Sequence, residues 1–129
     1  MKYTLILVFT LGLLSCSDDD IDSTTLTDLN GRWIEVETRS DTLTFESWDG
    51  LEMMILSRGK ELRDGNLLPK PGSGPYEYKL SEEKISLYWT LSSNSNFNDY
   101  SFQVIGNRLE IGDFYGSTSK PTLTFEKLD

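Results

Sequence analysis

From residue 29 onward the sequence predicts an all-β domain, a single small antiparallel up-and-down meander of about eight strands. Apolar and polar residues alternate with period two along most of this region. Turn residues interrupt the alternation roughly every 8 to 12 positions, the spacing of a β-sandwich or a β-barrel. The segment nearest to an amphipathic helix, residues 51–62, has β-branched and turn residues at the wrong positions for one.

The alternation places eight strands in order along the chain. They are Gly31–Thr38, Thr42–Trp48, Leu51–Ser57, Tyr76–Leu80, Lys84–Leu91, Asp99–Ile105, Arg108–Ile111 and Thr122–Leu128. Asp49-Gly50 and Gly106-Asn107 have the composition of two-residue hairpin turns, and Ser81-Glu82-Glu83 provides a further turn. Eight antiparallel strands can close on themselves, which removes the sheet edges and leaves an interior for side chains or one small ligand.

The start of the first strand carries a family resemblance. Gly31-Arg32-Trp33, the eight-strand meander and the ending Thr122–Lys127 together resemble the small lipocalin-like domains common in lipoproteins of Bacteroidota. The resemblance covers residues 29–128 and implies a calycin-like barrel. In such a barrel Gly31 lets the chain enter closely and Trp33 plugs the closed end.

The chain also departs from the lipocalin pattern. Asn98-Asp99-Tyr100 is similar to a second lipocalin motif, Thr-Asp-Tyr, but the domain is shorter than a full lipocalin. It lacks the usual C-terminal helix, and the sequence offers no position for the arginine of that fold. The alternative is an unrelated β-sandwich with a buried tryptophan.

The N-terminus has the pattern of an export signal. Lys2 precedes an apolar run, Leu5–Leu14, which is about half of the roughly 20 residues that a membrane-spanning helix needs. Leu13-Leu14-Ser15-Cys16 resembles the lipobox of bacterial lipoproteins. The resemblance implies cleavage between Ser15 and Cys16 and acylation of the Cys16 sulfur, and two or more acyl chains anchor a protein stably. A plain signal peptide is the alternative.

These features divide the chain into a signal peptide (1–15), a lipidated cysteine with an acidic flexible tether (16–28) and the barrel domain (29–129). Ser17-Asp18-Asp19-Asp20 resembles the acidic signal that sends some Bacteroidota lipoproteins to the outer face of the outer membrane. The alternative is a solvated acidic linker. We therefore expect a protein anchored to the outer membrane by its lipid and exposed at the cell surface.

Charge excludes one class of partner. The chain has 12 basic and 21 acidic residues and a net charge of −9. Without Lys2 and the four aspartates between Asp18 and Asp22, the totals are 11 and 17, a net charge of −6. Such a surface repels nucleic acid phosphates, so we expect no nucleic acid partner. Cys16 is the single cysteine, so stability must come from an apolar core without disulfides.

The sequence offers little for catalysis. It contains no histidine, which removes the usual general base and the commonest metal ligand. Asn94, Asn96 and Asn98 have the 1-3-5 spacing of a calcium loop, but Asp99 and Ile105 stand where that loop needs Gly and Glu. Gly72-x-Gly74 neither follows a predicted strand nor opens a helix, so it is no phosphate loop. We predict no enzyme activity, no cofactor and no metal.

The first strand poses a problem of register. If Trp33 points inward, strict alternation also sends Glu35 and Glu37 inward, where an unpaired carboxylate is costly. Two solutions are open: a β-bulge after Trp33 that reverses the register, or a strand end that is open to solvent at the barrel mouth.

Two functions remain open. The first is a binding module whose cavity takes a small apolar or aromatic ligand. Its predicted lining consists of Phe45, Met53, Tyr78, Trp89 and Phe102. The second is a protein-interaction or enzyme-inhibitor module with a packed interior and functional loops. Residues 58–75 form the longest connection between predicted strands. Because Leu67-Leu68-Pro69 within it is apolar, one interpretation is a lid that folds over the barrel mouth. The alternative is a variable loop.

Overall fold

A computed structural model describes residues 29–115 and 121–128. The predicted signal peptide, Cys16 and the acidic tether lie outside these residues. Within the described ranges every regular element is a β-strand. No helix in this part of the chain is long and apolar enough to cross a membrane.

The described residues form ten strands, and eight of these form a closed antiparallel barrel. The strands are β1 (Gly31–Glu35), β2 (Thr42–Trp48), β3 (Leu51–Ser57), β4 (Lys60–Arg63), β5 (Asn66–Pro69), β6 (Gly74–Ser81), β7 (Lys84–Trp89), β8 (Asn98–Ile105), β9 (Arg108–Gly112) and β10 (Thr122–Lys127). The barrel order is β1-β10-β9-β8-β7-β6-β3-β2, while β4 and β5 pair only with each other. The predicted fold class, an up-and-down barrel of eight antiparallel strands, is confirmed.

The sequence prediction missed the hairpin of β4 and β5. Residues 58–75 were expected to lack secondary structure, but Asp64 and Gly65 turn the chain with φ of +50° and +79°. Asp49 and Gly50 do the same between β2 and β3, with φ of +50° and +85°. The Asp-Gly signal that identified the first hairpin was therefore also present in the second.

The barrel interior is filled by alternate side chains of all eight barrel strands. Because paired residues share a face, the register aligns Trp33 with Leu43, Phe45 with Met54, and Leu109 with Phe125. The fully or nearly fully buried apolar residues form one continuous cluster. Each contributes roughly 1.5–3 kcal/mol relative to an exposed position, so the interior holds the barrel closed.

The two ends of the barrel differ in how the strands are connected. At one end, called the base here, two-residue turns join β2 to β3, β6 to β7 and β8 to β9. At the other end, called the mouth, the connections are residues 36–41, 58–73 and 90–97, and residues 113–115 follow β9. The chain enters β1 at the base.

The base is built around Trp33, which is fully buried. Its indole Nε1 donates a hydrogen bond to the carbonyl oxygen of Leu29 at 2.9 Å. The ammonium group of Lys127 lies 5.5 Å from the centre of the indole ring. Gly31 has φ of +118°, a conformation that residues with a Cβ rarely adopt, so a glycine is needed where the chain enters the barrel.

Glu35 resolves the register problem in a way that the sequence did not suggest. The register across β1 is continuous, so no bulge follows Trp33, and Glu35 points inward with 1% of its surface exposed. The strand ends there, three residues before the predicted end. The carboxylate accepts bonds from the backbone N–H groups of Glu37 (2.8 Å) and Thr38 (2.6 Å), and from the Thr38 hydroxyl (2.6 Å). Both predicted solutions for Glu35 are wrong, while Glu37 lies exposed in the following turn.

Candidate functional site

Five aromatic side chains gather at the mouth and are called the aromatic cluster. The rings of Tyr76 and Trp89 are stacked, with centroids 6.2 Å apart. Phe114 meets Tyr76 and Tyr100 edge-on at 5.3 and 5.2 Å. Tyr115 meets Phe114 at 5.3 Å. Such edge and stacked contacts are each worth about 0.5–1.5 kcal/mol beyond burial, so the cluster holds strands and loops together at this end.

The barrel register brings this cluster together. Tyr76 on β6 is the cross-strand partner of Trp89 on β7, and Tyr100 on β8 is the partner of Ile85 on β7. Phe114 then reaches the cluster from the connection that follows β9. The hydroxyl of Tyr76 donates to the carbonyl oxygen of Gly72 at 2.6 Å, which ties the ring to the connection before β6.

A cleft of about 180 Å³, called the mouth cleft, opens beside the cluster. This volume corresponds to about six water molecules at roughly 30 Å³ each. None of the described side chains lining it carries a formal charge at neutral pH. The lining consists of Tyr76, Leu87, Trp89, Ser92, Asn94, Asn96, Asn98, Tyr100 and Phe114.

Three amides form the polar side of the mouth cleft. Asn94 and Asn96 lie on the connection between β7 and β8, and Asn98 begins β8. Within residues 29–115 and 121–128, these three amide side chains make no hydrogen bond to another residue, while the Asn94 backbone N–H donates to the Ser92 hydroxyl. Their donors and acceptors are therefore available to a molecule in the cleft. The sequence singled out this triplet only to reject it as a calcium loop.

Arg58 connects three parts of the mouth. Its Nε lies 3.5 Å from a carboxylate oxygen of Asp41, and both side chains are largely buried. One Nη donates to the carbonyl oxygen of Pro71 at 2.7 Å, and the guanidinium stacks over the Tyr115 ring at 4.4 Å. Sequence reasoning missed this residue, because its partners lie 13 or more positions away and no local pattern marks them.

Burial changes the acidity of the tyrosines at the mouth. Desolvation, with a smaller contribution from neighbouring Tyr100, raises the pKa of Tyr76 to about 12. Desolvation also raises the pKa of Tyr100 above its ordinary value. Both hydroxyls are therefore protonated at neutral pH and can donate hydrogen bonds.

The five residues predicted to line one internal cavity do not surround a common space. Phe45 and Tyr78 meet edge-on inside the barrel, with centroids 5.3 Å apart. Phe102 is also part of the packed core. Met53 pairs with outward-facing residues of β2 and β6, so it lies on the outer face, although it is buried there. Trp89 alone of the five lines the mouth cleft.

Two larger clefts lie elsewhere on the described surface. One of about 560 Å³ runs along the outside of β8 and includes Glu82, Glu83 and Glu110. The other, of about 520 Å³, lies at the base and includes the charged residues Glu52 and Lys79. Both are lined partly by charged groups, whereas the described side chains lining the mouth cleft are uncharged.

The long connection does not cover the mouth with its leucines. Leu67 and Leu68 on β5 are 63% and 40% exposed, and Leu62 on β4 is 72% exposed. The hairpin of β4 and β5 thus presents apolar side chains to solvent. Of the two interpretations left open for residues 58–75, a lid made by Leu67-Leu68-Pro69 does not match this arrangement.

Metal binding has little support from the described side chains. Within residues 29–115 and 121–128, no group of three or more Asp, Glu, Cys or His side chains is placed to hold a metal ion.

Comparisons with protein-family models, curated proteins and solved structures find no match to this chain.

Proposed function

We propose that this protein is a lipid-anchored, surface-exposed binding protein whose barrel takes a small apolar or aromatic-faced ligand at its mouth. The observation that carries the proposal is the mouth cleft, in which aromatic rings and free amides face one uncharged space. Ligand sites are typically concave and contain polar groups that fix the orientation of the ligand, and the mouth cleft combines such groups with aromatic rings. A ligand here sits in the barrel opening rather than in its packed interior.

The position of the cleft fits the proposed anchor. The chain enters the barrel at the base, where Leu29 accepts the hydrogen bond from Trp33. A lipid on Cys16 would therefore attach the chain from the side of the base, and the mouth, at the opposite end, would stay open to soluble molecules.

The anchor has its own test. We expect radioactive palmitate to label the protein, and Cys16→Ala to abolish the label, because no other cysteine is present to take a lipid. Ser17→Ala, which keeps the cysteine, is the matched control. Equal labelling of the Cys16→Ala variant would overturn the proposed anchoring.

The binding proposal is tested with phenol as a small aromatic probe. The chain has three tryptophans, so a proton–nitrogen NMR spectrum of the purified protein shows three indole signals. We expect phenol to shift the Trp89 signal and to leave the signal of Trp33, buried at the base, unchanged. Native mass spectrometry of the protein from its own cells then shows whether a small molecule co-purifies. No shift of Trp89 with any small probe would overturn the proposal.

A second function, a protein-interaction or inhibitor module, is favoured by one observation, the exposed hairpin. Leu62 and Leu67 pair across β4 and β5 on one face, and the outer edges of both strands are free. Exposed strand edges and apolar side chains are typical of protein contact surfaces. The Lys70 N–H bonds the Gly59 carbonyl oxygen at 3.0 Å, so a two-residue turn can replace residues 60–69.

That replacement provides the test of the second function. A hairpin-less variant should lose any partner that the intact protein captures from its own extracellular fluid. Leu62→Ser with Leu67→Ser keeps the hairpin backbone and should weaken capture in the same direction. Unchanged capture by both variants would exclude the hairpin as the contact surface.

A further inference from the structure

We infer that the ligand of the mouth cleft is a single neutral sugar ring, either free or at the end of a longer glycan. The inference rests on the proposed function and specifies its ligand class. It depends on three properties of the cleft: its charge, its mixture of aromatic and amide groups, and its volume.

Charge selects a neutral ligand. The described residues that line the cleft include no Asp, Glu, Lys or Arg. An ionised ligand would lose water and gain no opposite charge, which is costly in a partly buried site. Carboxylates, phosphates and amines therefore fit this cleft poorly.

The mixture of groups selects a ligand with two kinds of surface. Trp89 and Tyr100 offer aromatic surface, while Asn96 and Asn98 offer amides without protein partners. A purely apolar ligand would cover these amides and leave their hydrogen bonds unmade, at a cost of about 1–3 kcal/mol for each buried group. A sugar ring has a C–H face that packs on an aromatic ring, and hydroxyls that both donate to and accept from an amide.

The volume limits the ligand to one ring. At about 180 Å³ the cleft is smaller than the roughly 300–1,000 Å³ of sites that enclose drug-sized ligands. A long fatty acid or a steroid-sized molecule is too large to be enclosed by it. Asn94 and Asn96 are exposed, so the cleft is open to solvent on the amide side. Further sugar units can extend outward there.

The experiment uses four probes on the purified chain: the methyl β-glycosides of glucose and galactose, methyl α-mannoside, and cyclohexanol. Cyclohexanol has a six-membered ring with a single hydroxyl and serves as the apolar match. We expect at least one glycoside to shift the indole signal of Trp89 with a millimolar dissociation constant, tighter than cyclohexanol. The signal of Trp33 should not move.

Variants locate the contact. Asn98→Ala should weaken glycoside binding by about 3- to 10-fold, the effect of losing one or two hydrogen bonds, and should leave cyclohexanol binding nearly unchanged. Asn66→Ala removes an exposed amide from the hairpin turn and should change neither. The unshifted Trp33 signal shows that each variant is folded.

The outcomes separate the inference from the proposed function. If cyclohexanol shifts Trp89 and no glycoside does, the sugar inference is overturned and binding at the mouth stands. If glycosides bind equally well to the Asn98→Ala variant, the assigned amide contact is wrong and the inference is also overturned. If glycosides and cyclohexanol both leave Trp89 unshifted, the inference falls, and the proposed function falls with it if phenol also produces no shift.

Discussion

The base and the mouth of the same barrel are held together by different kinds of contact. At the base, short turns such as Asp49-Gly50 and Gly106-Asn107 close the strands, and Trp33 bonds to Leu29 only four residues away. At the mouth, the ion pair of Asp41 and Arg58 and the aromatic cluster join segments that are far apart in sequence. At the base the strands are joined by two-residue turns, whereas at the mouth long connections are joined by contacts between segments far apart in sequence.

This difference indicates that stability and ligand binding depend on opposite ends of the barrel. A base of two-residue turns has little freedom to vary without disturbing the strand register. The longer connections at the mouth can carry polar and aromatic residues that do not serve the core, such as the three asparagines between β7 and β8. Stability should therefore be most sensitive at the base, and binding should respond at the mouth.

The largest effect on stability is expected at the base. Trp33→Ala removes the largest side chain of the closed end and its hydrogen bond, and should lower the free energy of unfolding by about 3–5 kcal/mol. Trp48→Ala is the matched control, because Trp48 is 44% exposed on the outer face; it should cost less than about 1 kcal/mol. Urea denaturation followed by circular dichroism measures both. Equal losses for the two variants would contradict the role given to the base.

The ion pair at the mouth should come next. Arg58→Met leaves the Asp41 carboxylate, whose side chain is 3% exposed, without its cation. A buried charge deprived of its partner typically costs about 3 kcal/mol. Adding Asp41→Asn to Arg58→Met should recover much of that loss, since the unpaired charge is then gone. A double variant no more stable than Arg58→Met would show that the pair itself matters little.

Replacing Glu35 should have a smaller, pH-dependent effect on the free energy of unfolding. Burial alone would raise the pKa of this carboxyl, but the hydrogen bonds from Thr38 and Glu37 outweigh it and lower the pKa below the ordinary value of 4.5. Its stabilisation is therefore present above pH 4.5 and is lost as the pH falls through the lowered value. Glu35→Gln should cost about 2 kcal/mol at pH 7.

The same substitution should also flatten the fall in stability on acidification. Glu82→Gln, in the exposed turn between β6 and β7, is the control and should leave the acid limb unchanged. An acid limb that is identical in wild type and Glu35→Gln would contradict the assignment.

At alkaline pH the two ends can be compared directly. Burial raises the pKa of Tyr76 at the mouth to about 12, and burial with the nearby Glu52 does the same for Tyr78 toward the base. Each tyrosine therefore contributes to the free energy of unfolding below pH 10. This contribution, about 1–2 kcal/mol for each tyrosine, is lost as the pH rises from 10 through 12. Tyr76→Phe and Tyr78→Phe should each reduce this loss. Tyr88→Phe, on the outer face, should leave it as in wild type.

The sequence predicted the parts of the fold that depend on local pattern. Period-two alternation and the turn residues placed all eight barrel strands, most ends being within two residues of the observed ones. The hairpin of β4 and β5 was missed although Asp64-Gly65 marks its turn, because the prolines and glycines around it suggested an irregular loop. Strand β1 ends early because Glu35 bonds the turn that follows it, a contact that alternation does not reveal.

The candidate site was less predictable, for a physical reason. The alternation pattern correctly placed Trp89 on an inward face of the barrel. The pattern does not show whether an inward residue lies in the packed core or at the barrel opening. Met53 was assigned to the interior by its apolar character, whereas the register puts it on the outer face. Barrel closure alone brings the asparagines beside Trp89 and Tyr100, and Arg58 beside Asp41. No spacing of residues along the sequence predicts a site of this kind.

The central claim is that the ligand binds at the mouth and not inside the barrel or at its base. Amide hydrogen exchange, measured with and without a bound probe, tests this claim most directly. With phenol or the tightest methyl glycoside present, we expect slower amide exchange in residues 86–98 and 113–115. The turns at residues 49–50 and 106–107 should exchange as in the free protein. Protection confined to the base, or no added protection at saturating probe, would contradict the account.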